Sequence, residues 1–180
     1  MTQELLQTRD SMGWRNGVDM KAKGALNFIG YVRAVLRNDK TGHIDHDTGW
    51  QKNLFVLVGR EAIINVLANE DVIANAGSVT YVAVGTGVGV PADADIALGT
   101  ELERKLVGNV TVTSDSALFQ AFYTTTEAIG TITELGLFGE DAGAGVDSGT
   151  LFEHVLFDTS FSKDGTQNLT VEINITCSQG

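Results

Sequence analysis

The segment Asn168–Ser178 alternates without a break. Leu169, Val171, Ile173, Ile175 and Cys177 fall on one side, and Thr170, Glu172, Asn174 and Thr176 on the other. A two-residue period held over this length excludes a helix and describes a strand half-buried in a sheet, its thiol turned inward. Such a strand needs neighbours in its own sheet and a second layer over its apolar side. The chain offers both. Strand-like runs recur at 28–37 (FIGYVRAVLR), Val79–Val84, Val107–Thr113, Ala117–Thr125, Gly130–Phe138 and Thr150–Phe157. They are separated by turn-forming stretches such as 38–42 (NDKTG) and the Gly/Asp-rich loop Gly139–Gly149. With 21 glycines and a single proline, Pro91, the connections read as tight turns. Short strands at close spacing predict a mainly β fold, an antiparallel β-sandwich over residues 28–180. One short helix is expected, Arg60–Asn69, with Ile63, Val66 and Leu67 turned to the core.

Residues 1–27 show neither period and read as an extended N-terminal arm. Residues 1–25 carry four basic side chains, Arg9, Arg15, Lys21 and Lys23, against three acidic ones, although the whole chain has net charge −11. A slightly basic arm on an acidic body either docks onto a neighbouring copy, with Trp14 as an apolar anchor, or is a solvated terminus. The acidic balance argues against nucleic acid, whose binding scales with cation density. No window approaches the roughly 18 uninterrupted apolar residues of a membrane span. The first residues lack the apolar core of a secretory signal, and the lone Cys177 fits a reducing cytoplasm.

The glycine loop Gly85-Thr86-Gly87-Val88-Gly89 follows a strand, as phosphate-binding loops do. It lacks the Lys-Ser/Thr that such a loop requires, its glycine spacing does not fit a dinucleotide fingerprint, and Asp93 and Asp95 follow it. It reads as a structural turn. His43, Asp45 and His46, with Asp47, form a compact group of metal-ligand types, but no second cluster completes a coordination sphere. No nucleophile motif is present. Glu127, Glu134 and Glu153 are carboxylates for which an exposed strand face is the expected setting. Trp50 is the residue on which a sugar would stack if the chain were a carbohydrate-binding host-receptor module.

Several motifs occur in a fixed order. These are Val84–Gly87 (VGTG), Pro91–Asp95, Leu98–Arg104 (LGTELER), Gly130–Phe138 (GTITELGLF), Gly149–Leu151 (GTL) and the closing strand Asn168–Ile175, with Lys52-Asn53-Leu54 upstream. In this order they resemble a family of tailed-bacteriophage virion proteins described as tail-fibre, collar or structural proteins, over about residues 50–177. The resemblance implies an all-β, non-enzymatic module with no catalytic residues and no cofactor. It implies a homo-oligomer resident in the virion, bound to other phage structural proteins in the tail, neck or collar, or anchoring a tail fibre. A capsid decoration protein is the nearest alternative. The arm residues Arg9, Trp14, Arg15, Lys21 and Lys23 are then the expected partner-docking set.

Overall fold

A computed structural model describes residues 26–68 and 78–179. Its elements, in chain order, are β1 (Leu26–Asn38), β2 (Ile44–Asp47), β3 (Gln51–Lys52), β4 (Leu54–Phe55), α1 (Leu57–Ala68), β5 (Val79–Gly85), β6 (Glu101–Leu106), β7 (Asn109–Thr113), β8 (Ser116–Tyr123), β9 (Gly130–Gly139), β10 (Thr150–Lys163) and β11 (Gln167–Gln179). One sheet runs β2-β1-β11-β8-β7, with β3 also on β1, and the other runs β4-β10-β9-β5-β6. Every pairing is antiparallel. The fold is the β-sandwich that the alternation predicts.

The alternating strand sits at the centre of its sheet, between β1 and β8. Leu169, Val171 and Ile173 are fully buried and meet Val32, Ala34 and Leu36 of β1 and Ala121 and Tyr123 of β8 in the main core. The second sheet contributes Val82 and Val84 of β5, Leu135 and Leu137 of β9, and Val155, Phe157 and Phe161 of β10. Tyr123 ties the layers by donating its hydroxyl to the Val82 carbonyl at 2.8 Å. Its burial pushes the phenol pKa well above the ordinary range.

The second sheet is buried on both faces. Its outer face carries Ala83, Phe138 and Leu151, packed with Val56 and Leu98. The connection between β5 and β6 lies over this face together with the start of α1. The Leu57 amide donates to the Asp93 carbonyl at 2.8 Å, and the Arg60 guanidinium pairs with Asp93 at 2.7 Å.

Four boundaries differ from those expected. The helix begins three residues earlier and rests on Gly59 and Ala62, while Leu67 is 75% exposed and Val66 and Ile64 are also exposed. Small residues decide the contact. A Cβ on Gly59 would stand 2.5 Å from the Phe152 Cα, so the helix lies directly on the β10 backbone. The charged segment ELERKL forms β6, an edge strand on which polar residues are affordable. β10 continues through Asp158-Thr159-Ser160 to Lys163, with an irregularity between Leu156 and Phe161. The sandwich opens at Leu26, inside the stretch read as arm, because residues 26–38 pair continuously with 167–179.

Candidate functional site

The outer face of the second sheet holds the site, built around β9. Alternation places Glu134 on the same face as Gly136 and Phe138, within an otherwise apolar run. A carboxylate buried there must be satisfied by hydrogen bonds. Glu134 is fully buried, and its donors come from the glycine loop and the start of β6. Gly87 N–H and Thr100 N–H donate to Oε1 at 2.7 and 2.9 Å, and Gly99 N–H donates to Oε2 at 3.0 Å. His154 of β10 brings Nε2 to Oε2 at 3.0 Å. The other ring nitrogen, Nδ1, meets Asp95 Oδ2 at 2.8 Å, and that oxygen also accepts the Ala92 amide at 2.8 Å. The imidazole ring thus bridges Asp95 and Glu134, one carboxylate at each nitrogen.

The glycines of the loop now have a physical role. The amides that a phosphate would have used converge on the chain's own carboxylate, the same anion-in-a-nest chemistry with an internal anion. A Cβ at Gly85 would stand 2.5 Å from Glu134 Oε1, and one at Gly87 would stand closer still. Thr133 fixes the loop from the other side, its hydroxyl donating to the Gly87 carbonyl at 2.5 Å. Gly87→Ala is therefore expected to cost about 2–3 kcal/mol in urea unfolding by overpacking. Most of that cost should vanish in a Glu134→Ala background, a coupling that a double-mutant cycle reads directly.

Two further buried polar groups flank this clasp. Arg104 is 8% exposed and holds Glu101 through both terminal oxygens at 2.6 Å. Its remaining NH1 donates to the Gly143 carbonyl at 3.0 Å and to the Ser148 carbonyl at 2.9 Å, and its guanidinium lies 4.7 Å from the Phe138 ring centre. It thereby closes the loop between β9 and β10. On the inner side, Glu153 is buried between the sheets and accepts a 2.5 Å bond from Asn53 Nδ2. Burial pushes its carboxyl up to about 8, with the Asn53 bond opposing the shift.

The exposed setting expected for Glu134 and Glu153 is thus corrected. Only Glu127 is partly exposed, bonded to Lys105 and to the Thr124 amide. The His43–Asp47 segment does not converge. His43 pairs with Asp45 at 3.1 Å in the open, His46 stacks on Phe161 at 4.9 Å, and Asp47 is engaged by Arg33 at 2.5 Å. Among the described residues no group of three or more His, Cys, Asp or Glu side chains is arranged to hold a metal. Trp50 is 48% exposed. Cys177 is a free thiol at intermediate burial, its inward face only partly covered. Arg9, Trp14, Arg15, Lys21 and Lys23 lie outside the described residues.

Comparison with protein-family models, curated proteins and solved structures finds no match. The chemistry of the clasp is read from its geometry. Both oxygens of Glu134 accept two donors each, and both nitrogens of His154 face carboxylates. The arrangement holds a loop in place.

Proposed function

We propose that this chain is a non-enzymatic structural component of a tailed-bacteriophage virion, a homo-oligomeric subunit of the tail, neck or collar or of a fibre anchor. One observation carries the reading. The motifs that resemble virion proteins supply polar clasps: Gly87, Asp95, Gly99 and Glu134 in one, Glu101 and Arg104 in another, and in a third Asn53, which binds Glu153 of β10. An enzyme's distinguishing residues are aimed at a substrate and keep donors or acceptors free for it. These residues are spent on one another, as suits a module valued for rigidity. The acidic surface keeps such a subunit soluble before assembly.

Mass spectrometry of gradient-purified phage particles tests the proposal, with immunogold labelling to locate the chain. The expected result is a fixed copy number per particle and label at the tail or neck. Label spread over the head would indicate a decoration protein, and absence from particles would refute the reading. Deleting residues 1–25 leaves β1 intact and is expected to block incorporation of the folded sandwich.

A further inference from the structure

The open edge of the β2-β1-β11-β8-β7 sheet is uncharged. β7 reads Asn109-Val110-Thr111-Val112-Thr113, all five residues are exposed, and its pairing with β8 runs without a register shift. The other edges are protected by known means. β2 carries Asp45 and Asp47, β4 is two residues long, and β6 carries Glu101, Glu103, Arg104 and Lys105. Natural sheets blunt their edges with charge, proline, bulges or brevity, because bare amides and carbonyls recruit other strands. Among the described edges, only β7 combines length with none of these.

Its geometry selects the partner. The two-residue turn Ser114-Asp115 joins β7 to β8, with Thr113 opposite Ser116. A turn of that length makes Thr113 and Ser116 a hydrogen-bonded pair, so alternate residues of β7 point their amides at β8 and Val110 and Val112 point theirs outward. We propose that β7 pairs with β7 of a second copy, antiparallel about a two-fold axis through Thr111. In this register Val110 faces Val112 of the second copy and the reverse, so all four outward amides and carbonyls of each pair are used. Thr111 faces Thr111 across the axis, and Asn109 faces Thr113. Valine–valine and threonine–threonine pairs are favourable, and no like charges stand opposite one another, which matters in a chain of net charge −11. Val110 and Val112, 46% and 73% exposed, are covered together. Val112 also walls a groove of about 310 Å³ floored by Ala117, Ile175 and Cys177, and Val110 of the second copy closes its mouth. The contact is isologous, so it closes on itself rather than growing into a filament. Pairing β7 with the opposite edge, β2, would instead propagate without end.

The dimer rests on the strand edge alone, so it stands or falls separately from the virion reading. Sedimentation of the full chain is expected to show a dimer. Thr111→Lys, which sets two ammonium groups face to face at the axis, should shift it to monomer without changing circular dichroism or the melting temperature of the monomer. In a Cys177→Ser background, Thr111→Cys should cross-link under copper-catalysed air oxidation, since non-hydrogen-bonded pairs bring Cα atoms within disulfide range. Asn109→Cys, four residues from its own copy in this register, should not. A monomeric wild-type chain, a dimer that Thr111→Lys leaves intact, or cross-linking by Asn109→Cys in preference to Thr111→Cys would overturn the inference.

Discussion

Replacing Glu134 by alanine is expected to destabilise the protein by about 3–4 kcal/mol, a large share of the roughly 5–15 kcal/mol that holds an ordinary domain together. The cost comes from the partners left behind. The Gly87 amide and the His154 ring would lose their acceptor at buried positions, and the Gly99 and Thr100 amides would lose it at partly buried ones. Each buried, unsatisfied donor costs roughly 1–3 kcal/mol, and water entering the vacated space recovers only part of it. Glu134→Gln is the sharper test, because it keeps the shape and loses the acceptor. One oxygen becomes an NH2 group facing backbone donors, so a loss of about 3 kcal/mol is expected in urea unfolding with an unchanged m value. A variant within about 1 kcal/mol of wild type would mean that the clasp contributes little.

The second large effect depends on pH. Burial between the sheets pushes the Glu153 carboxyl up to about 8, against 4.5 in the unfolded chain. The folded state therefore holds a proton that the unfolded state releases over this interval. The stability tied to the neutral carboxyl is complete below about pH 4.5, falls as pH rises, and is lost above about 8. At about 1.4 kcal/mol per pH unit, the swing across the interval is of order 5 kcal/mol. The surroundings agree with a neutral acid. Asn53 Oδ1 and Glu153 Oε1 are both without partners, and both lie where a Cβ of Gly30 would stand. A proton on Oε1 turns one of two facing acceptors into a donor. Glu153→Gln supplies that donor permanently. Its stability should match wild type near pH 5 and exceed it by several kcal/mol near pH 8.5, measured by denaturant titration at each pH. Parallel pH profiles for the two proteins would show that Glu153 is not the group responsible.

The strands were legible because burial on one face writes a two-residue period into the sequence, most plainly at Leu169–Ile173. The limits of that signal are physical. β6 lies at an edge, where charge is tolerated and no apolar face is required. The helix packs through Gly59 and Ala62 because β10 passes close beneath them, whereas a hydrophobic period selects bulky residues such as Leu67, which are exposed. Part of the site could also be read. Gly85, Gly87 and Gly89 marked a loop rich in free amides, and the aspartates after it argued against phosphate. The anion itself was hidden, because Glu134 lies 47 residues from Gly87. Its signal was a carboxylate inside the apolar run Thr131–Phe138, on the same face as Gly136 and Phe138. That position demands donors, and the glycine loop was the richest source of them. Glu153, beside the bulge at Phe152, lies where alternation breaks, so its inward direction needed the observed register.

Native-state hydrogen exchange at the amides of Gly87, Gly99 and Thr100 tests the clasp most directly. If these amides donate to a buried Glu134, they exchange only through opening of the sandwich, at the rate of the central strand amides of β11. In Glu134→Gln that protection should fall selectively, ahead of the strands. Fast exchange of all three amides in the wild-type protein, on the scale of exposed loop amides, would contradict a loop held by the chain's own carboxylate.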